Sequence, residues 1–135
     1  SGRYNSTRAK LLKMDMKTQG NEMQKIGAAS DWTIGSAHAV TQDGHVFFAS
    51  MTGSQLPAHA YGSQHVIWVV GAHKIVKNDE EAIKRLYERC LPLESERAKK
   101  AYGVPGSSVN KILTVNKEIN TGRITLIFVN EALGF

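Results

Sequence analysis

Six residues near the middle of the chain, Val66-Ile-Trp-Val-Val-Gly71, are apolar and β-branched or aromatic without one polar interruption. A strand with one wet face alternates polar and apolar residues, whereas an unbroken run suits a strand whose two faces are both covered. The run predicts a central strand of a parallel sheet flanked by helices. Gly71 would end it at the carboxyl edge, where α/β proteins tend to place their ligands. The fold class that follows is α/β, with a mixed, mostly parallel sheet.

The rest of the pattern supports one domain, which at 135 residues buries roughly two thirds of its unfolded surface. Residues 1–30 form an N-terminal segment whose Leu11, Leu12, Met14 and Met16 mix helical and alternating spacing. A short helix is expected after Asn21 as N-cap, ending at Gly27. Residues 31–135 form the sheet core. Runs at 37–41 and 45–50 flank Asp43-Gly44, the loop that two-residue hairpins favour. That loop would set Val40 opposite Phe47, His38 opposite Ala49 and Ala39 opposite Phe48, so both hairpin faces are apolar and lie inside the sheet. Ser54 as cap, Pro57 in the first turn and Gly62 as stop predict a short helix, which completes a crossover from strand 45–50 to strand 65–71. Asn78 can cap a longer helix with Glu81 at the capping-box position, and Ile83, Leu86, Tyr87 and Cys90 make its apolar stripe. Pro92 is expected to break that helix, with a second one ending at Gly103. Residues 111–115 and 123–129 read as a terminal antiparallel hairpin turning through Asn120-Thr121-Gly122.

Composition excludes several functions. No apolar run approaches the roughly 18 residues of a membrane span, and no signal peptide is visible. The opening Ser1-Gly2 lacks an initiating Met and reads as a tag scar or the start of a fragment. Cys90 is the one cysteine, so an intrachain disulfide is impossible and a reducing cytoplasm is the default location. One thiolate also falls short of the four ligands of an iron–sulfur cluster. The net charge of +5 owes much to Arg3, Arg8, Lys10, Lys13 and Lys17, with no basic stripe interleaved with aromatics, which argues against a nucleic-acid partner.

Candidate site residues sit on two glycine turns. In Thr52-Gly53-Ser54-Gln55, free amides at a helix start and the Ser54 and Gln55 side chains can cradle an anion or carbonyl, or the turn can be an ordinary strand-to-helix connection. The loop 103–111 lacks the Gly-Lys-Ser/Thr ending of a nucleotide P-loop, although Ser107, Ser108 and Lys111 can meet a carboxylate or phosphate. Arg123 can reach a sheet-edge anion or stay solvated. The five histidines show no metal-ligand spacing, so no metal is expected. Among them His59, on the short helix, is the candidate proton carrier. Cys90 lies on an apolar stripe and reads as packing, not as a nucleophile, and no Gly-x-Ser-x-Gly elbow is present.

Together, Ile34-Gly-Ser-Ala-His-Ala-Val-Thr41, Asp43-Gly44, Ala49-Ser-Met-Thr-Gly-Ser-Gln55, Ala60-Tyr-Gly62, Val66 to Gly71 with Lys74-Ile-Val76, Leu91-Pro-Leu-Glu-Ser-Glu-Arg97, Ser107-Ser-Val-Asn-Lys111 and Gly122-Arg-Ile-Thr125 resemble the LUD domain family, named for lactate utilisation proteins. The resemblance covers about residues 30 to 135. It implies a sugar-phosphate isomerase/CoA-transferase-like α/β fold, upstream sequence with a glycine-rich strand-end loop, and work beside an iron–sulfur system that oxidises lactate to pyruvate. It matches the cluster-free members, so clusters belong to partner subunits and no cofactor is expected in this chain. It transfers no catalytic residues.

Three functions are compatible with these features. One is an accessory or small-acid-binding subunit in lactate oxidation; another is an independent enzyme on a phosphorylated or CoA-like small molecule; the third is a non-catalytic docking subunit. The corresponding partners are a small organic acid or phosphorylated metabolite, iron–sulfur subunits, and a second copy of the chain.

Overall fold

The structure is a computed structural model that describes residues 4–135; Ser1, Gly2 and Arg3, discussed above for their sequence, lie outside the described residues. Two N-terminal helices, α1 (Thr7–Leu11) and α2 (Met16–Ala28), precede the sheets. The second starts well before the expected Asn21. Asp15 is its cap, accepting from the Lys17 amide at 3.0 Å and from the Thr18 hydroxyl at 3.1 Å, which leaves Asn21 inside the helix.

The strands divide into two sheets. In the first, β4 (His65–Gly71) lies between β1 (Trp32–Gly35) and β7 (Ile124–Val129), all parallel. The second is mixed, with order β5 (Ile75–Val76), β2 (Ala39–Thr41), β3 (Val46–Ser50), β6 (Lys111–Val115). The chain is thus α/β with a parallel three-stranded sheet, a mixed sheet and flanking helices, and the Trp68 strand is central as its composition demands. Its inner face, Val66, Trp68 and Val70, is buried against Val40, Val46 and Phe48 of the mixed sheet. Its outer face is less covered than the unbroken apolar run suggests, since Ile67 and Val69 are half-buried. Beside them Trp32 is 59% and Ile34 73% exposed.

Three connections differ from the sequence reading. The hairpin closes through a three-residue loop, not two: Gly44, at φ +90°, donates to the Thr41 carbonyl, and Thr41 donates to that of His45. The register therefore shifts by one, pairing Ala39 with Phe47 and Val40 with Val46. Both faces stay buried, one in the inter-sheet core and the other under Ala82 and Ile83. The crossover expected between β3 and β4 joins different sheets instead, because the parallel partner of β4 is β1, a four-residue strand too short to stand out in the sequence. Likewise β6 and β7 form no hairpin. β6 fills the free edge of β3, and β7 adds to β4 so that Ile124 and Leu126 reach the inter-sheet core.

The predicted short helix is a π-helical turn at Ala58–Gly62, without a side-chain cap from Ser54. Asn78 does cap α3 (Asp79–Arg85), accepting from the Glu81 amide at 3.0 Å, while the Glu81 carboxylate accepts from the Lys77 amide. Pro92 does not break the helix. A π-helical turn, Leu86–Cys90, runs straight into α4 (Leu91–Tyr102), and the Leu91 amide donates to the Leu86 carbonyl five residues back. Widening the ladder there accommodates a ring that has no N–H to donate and would crowd a regular turn. The packed stripe is Ala82, Leu86 and Cys90, whereas Tyr87 is 47% exposed. Leu86→Ala should accordingly destabilise by about 2–5 kcal/mol and Tyr87→Ala by less than about 1 kcal/mol in chemical denaturation.

Candidate functional site

β1 and β4 are neighbours and parallel, so the residues that leave their carboxyl ends emerge side by side. Ser36, Ala37 and His38 follow β1, and Lys74 closes the short turn after β4. These residues form one wall of a cleft of about 770 Å3, completed by the turn at 51–55, by Cys90 and Glu94 near the π-to-α4 junction, and by Ser107 and Ser108. The volume is that of an ordinary small-molecule pocket, and the carboxyl edge of a parallel sheet is the usual place for one.

Lys74 is the least expected group in this cleft. It is 3% exposed, yet its ammonium bonds only to the Ser36 hydroxyl at 3.1 Å and the Ala37 carbonyl at 3.2 Å. Among the described residues it forms no ion pair with a carboxylate. Burial lowers its pKa, the dominant influence, and so does Arg85. A buried ammonium without a counter-charge is unfavourable on its own and gains most from an anion that enters beside it.

The surrounding groups are held by bonds of their own. The His38 ring accepts at Nδ1 from the Ala49 amide at 3.3 Å, and its carbonyl accepts from Arg85 Nε at 2.9 Å. Burial, followed by Lys74, holds the His38 pKa down to about 4. Glu94 is clamped by Arg97 through two bonds of 2.6 and 2.7 Å, which keeps its carboxyl below the usual range. The Arg97 guanidinium also lies 5.4 Å from the Tyr102 ring centre. Burial pushes the Cys90 thiol up, so it packs in its protonated form.

The candidates from sequence are partly brought together. Thr52, Ser54, Gln55, Ser107 and Ser108 line the cleft. Two backbone amides of the first turn are spent internally, Gly53 on the Ser50 hydroxyl and Ser54 on the Thr52 hydroxyl. Gly53 has φ +86°, and a Cβ there would lie 2.7 Å from the Lys111 stem. Lys111 itself donates to the Thr52 carbonyl at 2.7 Å and so braces the turn.

Two candidates lie elsewhere. His59 does not line this cleft. It is buried in the core, its Nδ1 accepts from the Trp68 indole at 3.1 Å, and it stacks on Phe48 at 4.6 Å. Burial is also the main reason its pKa is lowered. Arg123 is at the opposite edge of the parallel sheet, 9% exposed. It pairs with Glu118 at 2.6 Å and donates to the Ala58, His59 and Ser63 carbonyls, which leaves it to hold the π-helical turn in place. Sequence reasoning missed Lys74 and His38 as site residues. Their signal was position, directly after strands of a parallel sheet, but β1 was not recognisable as a strand.

The LUD domain is the family whose model matches this chain, over residues 3–129. No curated protein and no solved structure matches it. The matched span includes α1 and α2 and every strand.

Two measurements check the electrostatics. Between pH 6.5 and about 4 the unfolded chain takes up a proton at His38 that the folded chain refuses, so stability is full above pH 6.5 and falls as pH drops through this window. Up to about 3 kcal/mol would be lost by pH 4, with the lowered pKa values of His59 and His73 acting in the same direction. Thermal melts across pH 4–8 would reveal it. Arg123→Met should destabilise by about 3–5 kcal/mol by stranding Glu118 and three carbonyls, measured by urea titration.

Proposed function

The chain belongs to the LUD domain family, that of lactate utilisation proteins, and from this membership and its cleft we propose that it is an accessory, small-acid-binding subunit in the oxidation of lactate to pyruvate. The observation that carries the reading is the Lys74 ammonium, buried at the carboxyl edge of the parallel sheet with only hydroxyl and carbonyl partners among the described residues. A small 2-hydroxy or 2-oxo acid brings the missing negative charge, and Ser36, Ser107 and Ser108 offer hydroxyls for its remaining oxygens. The exposed apolar outer face of the parallel sheet, around Trp32 and Ile34, supports the accessory part of the reading. Such a face suits a partner subunit, and the iron–sulfur clusters of the oxidation would reside in that partner.

A second reading rests on size. A cleft of about 770 Å3 exceeds a three-carbon acid, which favours an enzyme acting on a phosphorylated or CoA-like molecule. No helix among the described residues is long and apolar enough to cross a membrane.

Thermal unfolding with lactate, pyruvate and a sugar phosphate separates the two. Lactate and pyruvate should raise the melting temperature, reaching about 2.7 kcal/mol of stabilisation at a hundredfold excess over Kd. Lys74→Met should abolish that response while changing intrinsic stability by no more than about 1 kcal/mol, since it also removes a desolvated charge. A response to the sugar phosphate alone would favour the second reading, and silence from every ligand would defeat both.

A further inference from the structure

The hydrogen-bond pattern around His38 fixes which ring nitrogen carries the proton. A backbone amide can only donate, so the Ala49 N–H on Nδ1 makes that nitrogen an acceptor. The neutral ring then has its single proton on Nε2. No described residue bonds to Nε2. Nor is it one of the buried unpartnered atoms among the described residues, which are the two His73 ring nitrogens and Arg85 Nη2. Nε2–H is therefore open, on a residue that lines the cleft together with Lys74.

The ring is also held in place before any ligand arrives. Ala49 belongs to β3, and the His38 carbonyl is anchored by Arg85 from α3, so two elements fix the side chain and its backbone independently. With a pKa near 4, set by burial and then by Lys74, the ring stays a neutral donor through the physiological range.

We propose that His38 reads the 2-oxygen of the bound acid, its Nε2–H donating to the hydroxyl or keto oxygen while Lys74 takes the carboxylate. This deepens, and rests on, the small-acid reading above. His38 is thereby the residue that separates 2-hydroxy and 2-oxo acids from plain carboxylic acids. An acid without that oxygen would cover Nε2–H and leave it without a partner, which is how a polar pocket rejects a deoxy analogue.

The test compares lactate, pyruvate and propionate by calorimetric titration of the wild type, His38→Gln and His38→Phe, with 15N NMR of the imidazole. Wild-type protein should prefer lactate and pyruvate over propionate by about tenfold or more. His38→Phe should bring the three together, and His38→Gln, which keeps an N–H donor, should restore part of the preference. The spectrum should show the Nε2–H tautomer, with Nε2 shifting on lactate but not on propionate. Equal wild-type binding of all three acids would overturn the role of His38 and leave the small-acid reading standing. A preference unchanged in His38→Phe, or an Nδ1–H tautomer, would do the same. Absence of binding by any acid would remove both. The wild-type titration and spectrum decide the matter even where the Phe variant does not fold.

Discussion

The indole N–H of Trp68, donated to His59 Nδ1 in the sheet-to-sheet core, is the contact on which the positions of the other groups depend. Trp68 belongs to the parallel sheet; His59, on the π-helical turn, stacks on Phe48 of the mixed sheet. The bond joins the two sheets and gives the buried indole N–H and imidazole Nδ1 a partner in each other. It also sets the exit of β1. A Cβ at Gly35 would lie 3.0 Å from the His59 ring, so the strand passes close over the imidazole before releasing Ser36, Ala37 and His38 toward the cleft.

The treatment of charge contrasts sharply between the two edges of the parallel sheet. At the amino edge, Arg123 is buried with a carboxylate and three carbonyls around it, a structural cation with its donors occupied. At the carboxyl edge, among the described residues, Lys74 has no carboxylate partner, and Arg85 Nη2 and the His73 nitrogens are buried without partners. Unsatisfied groups of this kind lower stability, so this edge is held less firmly by polar contacts than the amino edge. The π-helical turn before Pro92 contributes here too, because it carries Cys90 at its end and passes directly into the α4 segment that brings Glu94 and Arg97 to the cleft.

How far the site was legible follows from the range of each signal. The Thr52–Gln55 turn and Ser107-Ser108 could be found from local glycine and hydroxyl content, and they do line the cleft. Arg123 and His59 carried the same local signals of a polar group near a turn, yet both are absorbed into the core, because partners 5 to 65 residues away satisfy them. Lys74 has no local signal of this kind, since nothing nearby in sequence marks it as buried.

The amino-acid sequence by itself determined the central Trp68 strand, the hairpin with both faces apolar, the Asn78 cap and the α/β class. Each of these follows from hydrophobic periodicity or from a hydrogen bond spanning a few residues. Tertiary structure alone decided that the strands part into two sheets, that β7 runs parallel to β4, and that Ser36, His38 and Lys74 share a wall. Those outcomes depend on which apolar face finds which partner across dozens of residues. Burial of that kind is non-directional and leaves no mark in local spacing.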